Sequence, residues 1–338
     1  MIRLNSDYLE GGHPLILEAL MATNLQQTPG YGEDSHCAEA VRLIQVKCRA
    51  PGADVHFIPT GTGANKTIIA SALKPYEGVI SADTGHINVH ETGAVESTGH
   101  KVLTVKAIDG KLTCQDVEKL ITEQADNEHT VKPGMLYISQ PTEMGTLYSL
   151  YELRCLSDAC RRLGIYLFMD GARLGYGLAA PGNDVSLEDI CRLCDVFTIG
   201  GTKVGALFGE AVVITNKALS TRFRYMIKQQ GLMLAKGRIL GIQFETLMRD
   251  NLYETISGHA VSLARRIRQA LLDKNIPLLV DSPTNQLFPV FSNEKCLQLA
   301  SCFVLETWQA VSDQETAVRV CTSWATTPEQ ADAFIAAI

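Results

Sequence analysis

Lys203 stands in D-V-F-T-I-G-G-T-K-V-G-A-L (195–207), a stretch made mostly of apolar residues and glycine. Such surroundings desolvate an amine, lower its pKa and leave it unprotonated near neutral pH, the condition for Schiff-base formation with a carbonyl. A lysine that binds phosphate or lies on the surface is the plainer alternative. Asp170 ends another apolar run, I-Y-L-F-M-D (165–170). An unpaired carboxylate there costs several kcal/mol, so a cationic partner is expected. Arg173 is the local candidate; the protonated nitrogen of a bound heterocycle is the other. In T-G-T-G-A-N-K-T (60–67) small residues precede a helix. Gly61, Thr62 and Gly63 there either cradle a phosphate with backbone N–H groups or form a tight turn. The stretch is not a Walker loop, because the G-K-[ST] ending is missing. His86, in A-D-T-G-H-I-N-V-H-E-T-G-A (82–94), is either structural or a ring pressed on a planar cofactor. Glu91 lies at the start of the following helix, where a carboxylate suits the dipole.

These residues need strands to hold them. Seven β-branched or apolar runs qualify: 55–59, 78–81, 101–105, 134–139, 165–170, 195–200 and 211–215. Helical periodicity separates them, most clearly over 150–163. There Ser149 and Glu152 form a capping box, and Leu153, Leu156, Cys160 and Leu163 share a face. Continuous apolar strands joined by helices predict a mostly parallel α/β sheet covered on both faces. From about residue 217 to 273 the pattern is helical, with Gly231, Gly237, Gly241 and Gly258 as candidate breaks. Strand-like pieces at 286–291 and 317–324 and a short helix after Thr327 follow, predicting a smaller C-terminal α+β domain. We divide the chain into a large domain, 1–249, and a small one, 250–338. In open α/β sheets ligands bind beyond the carboxyl ends of strands, and all four candidate sites lie there. One ligand uses a phosphate cradle, a stacking ring, an acidic partner for a ring nitrogen and an amine together: pyridoxal 5′-phosphate.

The 338-residue composition, 46% hydrophobic and 20% charged, is that of a soluble chain with a large core. A net charge of −7 without a basic stripe argues against a nucleic-acid partner. No apolar run approaches a membrane span, and the opening M-I-R-L-N-S-D-Y-L-E-G-G lacks the layout of a signal peptide. Ten cysteines are scattered along the chain. Cys191 and Cys194, in C-R-L-C, have no second pair or histidine cluster beside them, so reduced thiols in a cytoplasmic protein are expected rather than a metal site. A dinucleotide site is disfavoured, since G-T-G-A-N-K lacks the third glycine of its loop.

Taken together, L-N-S-D-Y-L-E-G-G-H-P (4–14), P-G-Y-G-E-D-S-H-C-A-E (29–39), T-G-T-G-A-N (60–65), G-H-I-N-V-H-E-T-G-A (85–94), M-D-G-A-R-L-G-Y-G (169–177), G-G-T-K-V-G-A-L-F-G (200–209) and V-R-V-C-T-S-W-A-T-T (318–327) make the chain similar to the fold-type I pyridoxal-phosphate enzymes. Within them it resembles the low-specificity L-threonine aldolase and β-eliminating lyase group. The resemblance implies a seven-stranded central sheet, an N-terminal segment (1–15) that reaches the active site, and a homodimer or homotetramer with shared sites. It implies that Lys203 carries the cofactor, Asp170 binds its pyridine nitrogen, His86 stacks on it, and Gly61 and Thr62 hold its phosphate. Ser6, Arg173 and Arg319 would hold the substrate carboxylate, for which an arginine fork is suited. Tyr31 would approach the neighbouring subunit's site, and Lys236 or Arg238 would reach the partner's phosphate. The implied reaction is cleavage of the Cα–Cβ bond of a β-hydroxy amino acid such as threonine or allo-threonine; β-elimination from another amino acid is the alternative. One segment departs from the group. Where threonine aldolases carry Asn-Thr-His-Asn, this chain has Gln140-Pro141-Thr142-Glu143, so acid–base work is expected of His86, Glu143 or a water.

Overall fold

All seven predicted runs are strands of one sheet in the computed structural model, which describes residues 1–124 and 127–338. A two-residue strand, β1 (Ile2–Arg3), precedes them. They are β2 (Asp54–Ile58), β3 (Glu77–Ala82), β4 (Val102–Val105), β5 (Lys132–Ser139), β6 (Tyr166–Asp170), β7 (Val196–Gly200) and β8 (Glu210–Ile214). Their order is β2-β8-β7-β6-β5-β3-β4, and only β8 runs against the rest. The strand period of two sorts the side chains. Ile80, Leu136, Ile138, Leu167, Met169, Phe197 and Ile199 enter one buried core, and Val79, Met135, Tyr137, Phe168 and Val196 a second. Apolar residues on both faces explain the continuous runs in the sequence.

Helices α1 (Pro14–Ala22), α2 (Ser35–Lys47), α3 (Gly61–Ala72) and the single turn α4 (His86–Val89) come from the first third of the chain. The helix Leu150–Leu163 has the predicted capping box, with both reciprocal hydrogen bonds between Ser149 and Glu152. Its Leu153, Leu156 and Cys160 are buried. A box of this kind contributes on the order of 1 kcal/mol.

The long helical region divides at only some of its glycines. Gly231 takes a left-handed φ of 75° and Gly237 caps the helix Arg238–Met248. Gly241 and Gly258 lie inside helices. Gly241 is there for contact: a Cβ on it would stand 2.5 Å from Cys37 Sγ and 2.6 Å from Cys37 N, where α2 packs. The second break is instead at Asp250 and Asn251, both with positive φ, before the helix Leu252–Asp273.

In the C-terminal part, β9 (Gln286–Leu287), β10 (Val290–Ser292), β11 (Phe303–Val304), β12 (Glu306–Ala310) and β13 (Glu315–Cys321) follow, with β10-β13-β12 antiparallel and β9 beside β13. The predicted strand at 286–291 is thus two short strands. β1 pairs in parallel with β11, and Leu4 enters the core formed by Leu263, Ile267, Leu287, Phe303 and Phe334. The first residues therefore lie against the small unit and pass from it toward the main sheet's ligand edge. We propose a division near residue 250 with this N-terminal strand packed on the smaller part.

Candidate active site

The two sequence motifs that contain Asp170 and Lys203 are held together by backbone contact. A Cβ on Gly171 would lie 2.0 Å from Thr198 O, and one on Gly200 2.2 Å from Ala172 O. Glycine at both positions lets Gly200 N donate to Gly171 O at 2.9 Å, while Gly171 N donates to Thr198 Oγ1 at 2.8 Å. The ends of β6 and β7 are thereby locked side by side. Asp170 terminates one, and the turn holding Lys203 leaves the other. The Lys203 carbonyl accepts from Tyr176 Oη at 2.5 Å. Its half-buried side chain has no hydrogen-bond partner for Nζ among the described residues, and its charge is felt at Asp7, His86 and Glu210.

Asp170 is buried and Arg173 is not its partner. Its carboxylate accepts from Tyr137 Oη at 2.6 Å, Asn65 Nδ2 at 3.0 Å and Ala172 N at 2.9 Å. Burial works to raise its pKa, but the neighbouring His86 charge and these donors outweigh it and hold the carboxyl below its ordinary value. Asn65 also donates to Glu91 Oε1 at 2.7 Å, and His86 Nδ1 donates to the same oxygen at 2.7 Å. One amide thus bridges two carboxylates, and His86, Glu91, Asn65, Asp170 and Tyr137 form a continuous chain. Burial lowers the His86 pKa, but Glu91, Glu143 and Asp170 together raise it above the free value.

Arg173 belongs to a second cluster. Its Nε and Nη2 donate to Asp7 at 2.7 and 3.0 Å, Asn285 Nδ2 donates to Asp7 at 2.9 Å, and both charged groups are buried. Two-thirds of the guanidinium's nitrogens are therefore committed to Asp7, leaving Nη1, which lies 3.9 Å from Glu143 Oε2. Arg319, on β13, donates from Nε and Nη2 to the Asn5 carbonyl at 3.3 and 2.9 Å and stacks 5.6 Å from the Trp308 ring centroid. The buried hydroxyl of Ser6 has no partner among the described residues.

At the third position, Thr60 caps α3 by accepting from Gly63 N at 3.0 Å, and Ala64 N donates to Thr60 O. The first two helical N–H groups, of Gly61 and Thr62, stay without partners among the described residues, since the Thr60 cap satisfies only the N–H of Gly63. A Cβ on Gly61 would meet nothing nearer than Glu210 Oε1 at 4.0 Å. The segment that replaces Asn-Thr-His-Asn is largely structural. Gln140 bonds both the N–H and the carbonyl of Tyr148, and Thr142 bonds Thr146 through backbone and hydroxyl. Glu143 alone has an unspent side chain: 11% exposed, it makes no hydrogen bond among the described residues, and its charge acts on Arg173, His86 and His90.

The model of the family described as beta-eliminating lyase matches residues 3–311. The chain belongs to the β-eliminating lyase family. It is 32% identical over 302 residues, 87% of its length and 83% of the relative's, to the low specificity L-threonine aldolase of Pseudomonas aeruginosa. A solved structure of Leishmania major threonine aldolase is 45% identical, with a TM-score of 0.98 over 99% of this chain and 98% of that one. The fold alone extends to Thermus thermophilus aspartate aminotransferase, at 13% identity and a TM-score of 0.74 over the whole chain and 90% of that protein. The fold-type I α/β architecture expected from sequence is the one these neighbours share.

Within this family member, His86 feels the charges of Asp170 and Lys203, Cys321 those of Arg173, Arg319 and Lys203, and Glu210, which lies beside Gly61, that of Lys203, while Ser6 stands between Asn5 and Asp7, which Arg319 and Arg173 bind. Tyr31 does not join them in the same chain. It is 46% exposed with φ 59°, and its contacts are Arg224, Lys228 and Ala235. Arg238 is spent on the carbonyls of Thr23 and Asn24, whereas Lys236 is exposed. Asn65, Tyr137, Asp7 and Asn285 were not singled out from sequence. Asn65 and Asp7 lay inside quoted motifs; Tyr137 and Asn285 carried no local signal.

Proposed function

We propose that the protein is a pyridoxal-phosphate-dependent carbon–carbon lyase that cleaves β-hydroxy amino acids such as L-threonine and L-allo-threonine into glycine and an aldehyde. The observation that carries this reading is the side-by-side locking of Asp170 and Lys203, in a chain 45% identical to a threonine aldolase over nearly its whole length. The residues present fit the cofactor. Lys203 Nζ, unpaired among the described residues, would hold it covalently, Asp170 is a buried acceptor kept ionised, and the N–H groups of Gly61 and Thr62 would take its phosphate. When bound, pyridoxal phosphate supplies an electron sink for the pair left on Cα.

The chain's own residues do the rest. Asp170, held ionised by Tyr137 and Asn65, would keep a proton on the ring nitrogen of the bound cofactor. His86, oriented by Glu91, would stack on the cofactor ring. Arg319, with Nη1 of Arg173 and the Ser6 hydroxyl, would take the substrate carboxylate, and this decides which bond to Cα breaks. Glu143 takes the proton of the β-hydroxyl; as that proton leaves, the Cα–Cβ bond opens and the aldehyde departs. Lys203 or a water returns a proton to Cα, which gives glycine.

The exposed Tyr31 and Lys236 support a homodimer or homotetramer in which each site borrows from its neighbour. Among the described residues no helix is long and apolar enough to cross a membrane, and a cytoplasmic location is our reading from the cysteine usage.

The deciding experiment supplies the purified protein with pyridoxal phosphate and L-threonine, L-allo-threonine, phenylserine, serine and cysteine. Acetaldehyde or benzaldehyde with glycine is expected. Pyruvate from serine or cysteine, without aldehyde, would instead make it a β-eliminating lyase. Borohydride trapping followed by peptide mapping should mark Lys203; a label elsewhere, or none, overturns the assignment.

A further inference from the structure

Four buried carboxyl groups surround the site, and three of them meet a cationic or imidazole partner or several donors, although Glu91 keeps its Oε2 without a partner among the described residues. Asp7 faces Arg173, Asp170 accepts three hydrogen bonds, and Glu91 accepts from His86 and Asn65. Glu210 is the fourth. It opens β8, where its register partners are Ile58 at the end of β2 and Gly200 at the end of β7. It therefore sits between the exits of the two strands that lead to α3 and to Lys203. Its residue is 4% exposed. Thr202 Oγ1 donates to Oε1 at 3.0 Å, and Oε2 is buried with no partner among the described residues. The start of α3 is within reach, since a Cβ on Gly61 would stand 4.0 Å from Oε1.

We propose that Glu210 is a positioning residue for the cofactor's phosphate: it is carried as an uncharged acid beside the first turn of α3, and its ionisation weakens the binding of a phosphate dianion there. An ionised Glu210 would be a second anion at a helix start whose N–H groups and partial positive charge suit one. Protonated, it becomes a hydrogen-bond donor with its Oε2 side unspent. The groups facing it are consistent. Burial pushes its carboxyl up to about 8; the Lys203 charge opposes that rise and Asp170 adds to it. Tyr253, from the helix Leu252–Asp273, also faces it but is spent on Gly200 O at 2.9 Å, and burial raises its own pKa far above neutrality. Ile58 and Gly200, on the flanking strands, carry no charge.

This inference rests on the pyridoxal-phosphate reading, and its test separates the two. Pyridoxine 5′-phosphate lacks the aldehyde, so Lys203 makes no covalent bond to it, and its phosphate is dianionic above about pH 7. Its dissociation constant is measured by calorimetry on the cofactor-free full chain, wild type and Glu210→Gln. With a group titrating near 8, wild-type binding should be about tenfold weaker at pH 9 than at pH 7. The variant should keep the pH 7 affinity and change less than about twofold across that range. In two buffers of different ionisation enthalpy at pH 8, the wild type should take up about half a proton more than the variant. If Glu210→Gln does not fold, Glu210→Met replaces it. Equal pH profiles, or no proton uptake by the wild type, overturn the proposal alone. Failure of the wild type to bind pyridoxine phosphate at any pH overturns the cofactor reading, and this inference with it.

Discussion

Replacing Glu143 by Gln removes one charge and leaves the shape of the loop, because Gln140, Thr142 and Tyr148 hold that loop without it. Two effects follow, and they have opposite signs. A positioned general base contributes roughly 100- to 10,000-fold to a proton-transfer step, so kcat with L-threonine should fall by at least about 100-fold. The second effect is electrostatic. Glu143 Oε2 lies 3.9 Å from Arg173 Nη1, and Coulomb's law at an effective dielectric of 20 sets their attraction at about 4 kcal/mol before solvent screening. Arg173 keeps its charge through Asp7, so deleting Glu143 frees Nη1 for the substrate carboxylate, and KM should fall or stay level. The assay is steady-state kinetics with coupled aldehyde detection, together with exchange of the glycine α-proton in deuterated water. Exchange needs no base at the β-hydroxyl and should survive in the variant. Glu143→Asp should recover part of kcat. A variant with wild-type kcat, or one that loses KM and α-proton exchange instead, refutes the assignment of the base.

Three further outcomes test the site and the fold. Asp7→Ala strands a buried guanidinium, which costs about 3–5 kcal/mol; a thermal unfolding midpoint equal to wild type would contradict the buried pair. The ring of His86 should titrate above the ordinary histidine value, and in Glu91→Gln lower than in the wild type, because burial then meets less opposition; histidine NMR reads both. Since the folded pKa is the higher one, the stabilisation by the His86 proton is fully present below the unfolded value and is lost as pH rises through the folded one. An unchanged titration in Glu91→Gln would remove Glu91 from its positioning role. Gly241→Ala should destabilise by about 1–3 kcal/mol through collision with the Cys37 backbone, whereas Gly258→Ala, with open space around it, should stabilise by up to about 1 kcal/mol. Equal denaturation midpoints for the two would contradict the packing of α2.

What the sequence revealed divides along a physical line. Strands whose both faces are buried are written as unbroken apolar runs, so all seven could be read locally, as could the Ser149 capping box. Asp170 and Lys203 were legible because a charge at the end of such a run is anomalous by itself. The partners of those charges were not. Asp170 is satisfied by Tyr137, which arrives when β5 pairs with β6 in the observed register, and by Asn65, which α3 brings from a distant part of the sequence. Arg173, three residues from Asp170, is instead drawn to Asp7, because β1 enters the small unit beside β11 and brings the following residues across the site. Glycine shows the same limit: Gly231 ends a helix through its own φ, whereas Gly241 is fixed by the approach of Cys37, which no local window contains. Glu210 is the sharpest case. At the head of an apolar strand it looks like the polar end of a run, and only closure of β8 against β2 and β7 turns it into a buried acid beside a helix start. A residue's type states what chemistry it offers; which charge it meets is decided by pairing over long sequence separations, and at this site those pairings set the protonation states on which the reaction depends.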